Sequence, residues 1–200
     1  MKPKVFVLTI AQQKQSLRAR IAERFKREPH LFQSDAPAQA LLASPEYAKV
    51  RTVLGYVSMA HEISTDAILA DVLRSGRRLV LPRTVSKAAP LTLHLVSDLA
   101  ADLEVSKLGF RQPKAALPEA QAAEIDLVIV PGVAFDAKGH RLGRGAGHYD
   151  RLLASEGMRA TVVALAAEAQ IVDDLPNEPH DRPVHVIFTP ARTIRGLPIS

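Results

Sequence analysis

A chain of 200 residues, 47% of them hydrophobic, is long enough to bury a sizeable core and has the composition of a globular protein. It contains no cysteine, which excludes a disulfide framework and thiolate metal sites, and no apolar run approaches the ~20 residues of a membrane-spanning helix. The net charge of +5 invites a nucleic-acid reading, but glutamates are interspersed in the basic stretch KQSLRARIAERFKRE and aromatics make up only 4%, so a small polyanionic ligand explains the charge better. The expectation is one domain over residues 1–200, a soluble cytoplasmic monomer with no nucleic-acid or membrane partner.

The opening segment MKPKVFVLTIA has a short apolar run and no small-residue cleavage site, so it reads as ordinary sequence. Leu17, Ile21 and Phe25 then recur at helical spacing and predict a basic amphipathic helix around residues 11–28, with its basic residues on the remaining faces. After the break at SDAP, VRTVLGYVSM reads as a strand. STDAILADVLRSG follows as a helix with Ser64 and Thr65 as caps and Gly76 as its stop. RLVLP and LTLHLV are the next strands, and a region rich in proline and alanine, residues 111–124, leads to DLVIV. That fully apolar, β-branched run has the pattern of a buried parallel strand. ATVVALAA and VHVIF supply two more, with a helix over about residues 148–156 between DLVIV and ATVVALAA. Strands alternating with helices predict an α/β domain on a mostly parallel sheet.

After DLVIVPGVAF comes RLGRGAGHYDRLL, in which Gly143, Gly145 and Gly147 alternate. In open α/β sheets ligands gather at the carboxyl ends of strands, and glycines there let backbone N–H groups approach an anion. A phosphate fits such a loop. GRGAG matches neither the Walker A nor the dinucleotide fingerprint, however, so on spacing alone it is equally a plain strand-to-helix turn. Asp150 is open in the same way, as a first-turn helix acid or as an oxygen ligand for Mg²⁺.

Over a longer span, residues 130–151, VPGVAFDAKGHRLGRGAGHYDR, closely resemble the signature segment of the 5-formyltetrahydrofolate cyclo-ligase (methenyltetrahydrofolate synthetase) family. KQSLR at residues 14–18 is similar to that family's N-terminal basic motif, and YVSMAHEIST to its substrate-side segment. The GF.QP pattern at residues 109–113, Gln170 and LPNEPHD at residues 175–181 fall in the family's order, so the resemblance runs from about residue 14 to 189. It implies a three-layer α/β/α fold of the NagB/RpiA/CoA-transferase-like kind. It also implies ATP-dependent closure of 5-formyltetrahydrofolate to 5,10-methenyltetrahydrofolate, with release of ADP and phosphate. The formyl oxygen is a poor leaving group; phosphorylation by ATP activates it, N10 closes the ring, and phosphate departs. Such chemistry asks the protein for positioning and charge stabilisation rather than for a covalent nucleophile.

Carried over by position, the resemblance implies that Lys14 and Arg18 hold ATP phosphates together with the loop Arg141, Leu142, Gly143, Arg144, Gly145, Ala146, Gly147, His148 and Tyr149. Arg144 and Tyr149 are the expected catalytic residues. Val57, Glu62, Arg144, Gly145, Gly147 and His148 are expected to meet the folate, and Asp150 and Asp181 to bind Mg²⁺. From the residues alone, a solvated helix face is the favoured reading of Lys14 and Arg18, and a turn residue the plain reading of Asp181. The chain departs from the family at His148, where an aromatic usually precedes the tyrosine, and at Gln112, where glutamate is common. These departures keep a second reading in view, a non-catalytic nucleotide- or folate-binding paralogue on the same fold.

Overall fold

The structure, a computed structural model, describes residues 8–86 and 88–197; most of MKPKVFVLTIA lies outside them. Thr9 caps the first helix, α1 (Ile10–Arg27), and shares a reciprocal capping box with Gln12, while Arg24, Lys26 and Arg27 suit the negative end of its dipole. Leu17 and Ile21 are buried as the spacing predicts, each contributing about 1.5–3 kcal/mol by removal from water. Lys14 differs from the expectation of a solvated basic face. It lies on the buried side, 7% exposed, one turn before Leu17 and Arg18.

Short helices α2 (Ala36–Leu42) and α3 (Pro45–Ala48) lead to β1 (Thr52–Leu54), α4 (Asp66–Arg74) and β2 (Arg78–Arg83). The remaining elements are β3 (Thr92–Val96), β4 (Leu103–Val105), β5 (Arg111–Pro113), β6 (Leu127–Val130), β7 (Ala134–Asp136), β8 (Arg141–Leu142), α5 (His148–Leu153), β9 (Thr161–Leu165), β10 (Ile171–Val172), β11 (Val186–Phe188) and β12 (Thr193–Arg195). The main sheet has seven strands in the order β12-β11-β9-β6-β1-β2-β3. Its five inner strands are parallel, and β12 and β3 run antiparallel at the two edges.

Both faces of the inner strands are covered, so alternate residues enter two separate cores. Val53, Leu79, Ile129 and Val163 pack with α1, α2 and α4, whereas Leu54, Val80, Val128 and Ala164 pack with Leu152 of α5 and with Ala120 and Ile125. The architecture is therefore the expected α/β layering, with one thick helical layer and one thin one. Two local expectations change. VRTVLGYVSM is extended only over β1, and the fifth helix stops at Leu153 rather than near residue 156. Thr65 occupies the N-cap position of α4, but its hydroxyl donates to the Tyr56 carbonyl at 2.5 Å, while the Ser64 hydroxyl receives the Asp66 N–H. The threonine thus ties helix to strand exit rather than capping the helix.

Candidate active site

The chain continues from β1 to β2 on one side and from β6 to β9 on the other, so neighbours β1 and β6 form a switch point at whose carboxyl ends a crevice opens. The segment carrying Val57 and Glu62 leaves β1 there. The glycine loop does not leave β6 directly. A hairpin of β7 and β8 intervenes, joined by β10 into a small three-stranded sheet, and residues 143–147 emerge from β8.

A cleft of about 600 Å³ lies beside this loop. Lys14 and Arg18 line it, as do all nine loop positions expected at the nucleotide, residues 141–149, and both proposed metal ligands, Asp150 and Asp181. Gly145 and Gly147 hold φ values of +97° and +65°, which side chains rarely adopt, and at Gly143 a Cβ would lie 2.9 Å from the Arg141 guanidinium. Gly145 and Gly147 are thus required by the turn, and Gly143 leaves room for the arginine that crosses it. Arg18 donates to the Gly143 carbonyl at 2.8 Å and Arg151 to the Ala146 carbonyl at 2.9 Å, which fixes the loop's carbonyls against cations. Because α5 has only six residues, the dipole behind the loop is weaker than the expected longer helix would give.

Arg141 is buried. It pairs with Asp150 at 2.8 Å, donates to the Pro131 carbonyl at 3.3 Å, and lies over the Tyr149 ring at 5.8 Å from its centre. Its Nε has no hydrogen-bond partner among the described residues. On the other wall, the Lys14 ammonium reaches Asp181 at 2.5 Å and Glu178 at 2.8 Å. Burial alone would push the Lys14 pKa down, but the two carboxylates more than offset it and hold it above the ordinary value. Burial likewise opposes ionisation of Asp181, yet Lys14 and the Glu178 N–H at 2.6 Å bring its pKa below the usual carboxylate value. Ligand atoms of Glu178, His180 and Asp181 lie within 4.8 Å of one another. Asp150 is outside that group; it pairs with Arg141 and also accepts from the Arg182 N–H at 3.2 Å, next to Asp181 in the chain. Glu178 and His180 were not singled out from the sequence, although they sit within the quoted LPNEPHD.

Val57 and Glu62 do not line this cleft. Glu62 borders a neighbouring depression of about 490 Å³ with Phe32, Asp35, Met59 and Asp66, while Val57 packs against the helical core. Arg144 joins the two hollows, because its guanidinium meets the shielded Glu62 carboxylate at 2.9 Å and also contacts His61. Burial, then the Glu62 charge, raises the pKa values of Tyr149 and Tyr56, so both are neutral phenols at physiological pH. Burial, then Arg144, lowers that of His61 against the opposing pull of Glu62. The His148 imidazole Nε2 lies 3.2 Å from the Ser86 carbonyl, linking the loop to the turn after β2. Gln112 does not line the cleft; its side-chain carbonyl accepts the Thr84 N–H at 3.2 Å.

Among known proteins, the chain is 37% identical over 150 residues to the 5-formyltetrahydrofolate cyclo-ligase of Mycolicibacterium smegmatis, covering 74% of this chain and 77% of that one. It is 30% identical over 157 residues to the enzyme of the same name from Escherichia coli, covering 78% and 86%. The NMR structure of Aquifex aeolicus 5,10-methenyltetrahydrofolate synthetase superposes with a TM-score of 0.76 at 28% identity, covering 94% of this chain and 96% of that one. The Mycoplasma pneumoniae 5,10-methenyltetrahydrofolate synthetase, at 19% identity and a TM-score of 0.64, shares the fold. A family profile matches residues 10–190, and the chain belongs to the 5-formyltetrahydrofolate cyclo-ligase family.

Proposed function

We propose that this chain catalyses the ATP-dependent conversion of 5-formyltetrahydrofolate to 5,10-methenyltetrahydrofolate, with the triphosphate in the glycine-loop cleft and the folate reaching toward Glu62. The observation that carries the reading is the Arg144–Glu62 contact, because it joins a cation-rich cleft to a second hollow, as transfer between two substrates requires. The ATP γ-phosphoryl group passes to the formyl oxygen with ADP as leaving group, N10 attacks the formyl carbon and gives up its proton to solvent, and the C–O bond breaks to release inorganic phosphate. Lys14, Arg18 and the backbone of residues 141–149 hold phosphate oxygens.

Arg144 stabilises charge that develops during transfer, and Tyr149, a neutral phenol, donates a hydrogen bond rather than acting as a base. Gly145, Gly147 and His148 border the folate's formyl end, with Glu62 at the pterin, whose amino-pyrimidinone edge presents donors to a carboxylate, and Val57 behind it against the helical core. Asp150 and Asp181 would hold Mg²⁺, since both line the phosphate cleft, Asp150 accepts from the Arg182 N–H beside Asp181, and carboxylate oxygens are the hard donors that ion takes. The ion would neutralise phosphate charge. The cysteine-free composition suits the cytoplasm.

Incubation with 5-formyltetrahydrofolate and Mg-ATP should produce the ultraviolet absorbance of methenyltetrahydrofolate. Nucleotide or folate binding without that absorbance would favour the non-catalytic reading.

A further inference from the structure

Asp136, at the end of β7, carries a fully buried carboxylate outside the cleft. One oxygen accepts the Lys138 N–H at 2.9 Å and the His140 N–H at 3.0 Å; the other meets the His140 ring Nδ1 at 2.8 Å and the Leu175 N–H at 3.3 Å. Four donors therefore converge on one carboxylate, as a buried charge demands. The imidazole continues outward, with its Nε2 at 3.1 Å from the Asn177 side-chain amide. With that amide donating, the ring proton sits on Nδ1 and points at Asp136.

The two ends of this chain of contacts belong to the two walls of the cleft. His140 immediately precedes β8, from which the glycine loop emerges, and Asn177 immediately precedes Glu178, whose carboxylate and that of Asp181 meet Lys14. No member of the chain lines the cleft. Segment 173–181 is largely irregular, so side-chain contacts of this kind hold it in place. Lys138 and Asp174 pair at 2.9 Å on the exposed rim, where ion pairs contribute little.

We propose that Asp136, His140 and Asn177 form a positioning network that sets the spacing between the glycine loop and the Glu178–Asp181 wall, and so governs Mg-nucleotide affinity without touching the nucleotide. The proposal rests on the assignment of the cleft to ATP. It makes His140 and Asn177 positioning residues, because they act only through Glu178, Asp181 and the loop.

Two substitutions leave the buried carboxylate satisfied. Asn177→Ala removes the outer contact alone, and His140→Asn keeps an amide near the Nδ1 position while losing the reach to Asn177. Each should raise KM for Mg-ATP about tenfold, as loss of an outer-shell partner does at other metal sites. KM for 5-formyltetrahydrofolate and the melting temperature should stay close to those of the unsubstituted protein. Calorimetric titration with Mg²⁺ and a non-hydrolysable ATP analogue should show the same weakening, and Asn177→Gln, which retains an amide donor, should recover part of it. Unchanged nucleotide binding in both variants, or equal rises in both KM values with a falling melting temperature, would overturn the proposal. Failure of the unsubstituted protein to bind the analogue at all would instead refute the assignment of the cleft itself.

Discussion

The two hollows joined by Arg144 are built on different principles. In the glycine-loop cleft the charges already answer one another: Lys14 with Asp181 and Glu178, Arg141 with Asp150, and Arg18 with a loop carbonyl. Around Glu62 the surroundings are acidic and polar, with Asp35, Asp66, Gln33 and three serines lining the same hollow and Arg144 as the cationic partner of Glu62. The first arrangement suits a multiply charged ligand, whose binding exchanges one set of ionic partners for another without baring any charge to a dry interior. The second suits a heterocycle whose edge presents several hydrogen-bond donors. On the proposed function, recognition of two unlike substrates is divided between a cleft whose charges are already paired and a hollow lined by acids and hydroxyls.

The strongest way to break this division is at Asp150. Asp150→Asn keeps an oxygen for Arg141 and the Arg182 N–H but gives up the charge proposed for Mg²⁺, so kcat/KM should fall by about a hundredfold or more with the fold retained. Lost thermal stability with normal activity per folded molecule would reduce Asp150 to a partner of Arg141. Replacing both Lys14 and Arg18 with Ala should come next, raising KM for ATP by roughly 10–100-fold, the range for lost charge-assisted hydrogen bonds, and KM for folate far less. Equal losses for both substrates would erase the distinction between the hollows.

Glu62→Gln should show the opposite selectivity, raising KM for folate about tenfold while nucleotide titration stays near normal. A selective loss of ATP affinity would mean that Glu62 serves the phosphate side through Arg144. The smallest effect is expected from His61. Its folded pKa lies below the unfolded value of ~6.5. The unfolded chain therefore binds more protons between the two values, and stability is present above ~6.5 and lost as pH falls through the folded value. His185, lowered by burial in the other core, adds to the same trend. Melting temperatures from pH 7.5 to 5 should decline less steeply in His61→Gln than in the unsubstituted protein; superimposable slopes would remove His61 from the account.

Much of the sheet was legible because β1, β2, β6, β9 and β11 are apolar runs with both faces buried, a pattern that needs only local sequence. Strands β7, β8 and β10 were not, since two or three residues carry no periodicity, and β10 joins the β7–β8 hairpin only when the chain returns from β9. Spacing placed Lys14 one turn from Leu17 but could not show it buried, because the acids that make burial tolerable stand 164 and 167 residues further on. Residues 141–150 were found by resemblance, where glycine spacing alone left turn and phosphate loop undecided. Asp136 and His140 were hidden inside AFDAKGH, whose turn formers mask a buried carboxylate, and the same masking left Glu178 and His180 unassigned.

The contacts of α1 carry a consequence for folding. Arg18 meets a carbonyl 125 residues away, and Lys14 meets acids beyond position 177, so the cleft has no wall opposite the loop until most of the chain has folded and the early helix has docked. Such long loop closures are slow to form and gain nothing until complete. Nucleotide, by bridging the two sides, should therefore select molecules with α1 docked. Amide hydrogens of α1 should exchange more slowly when Mg-nucleotide is added, while those of the inner strands, already held by the global fold, should change little.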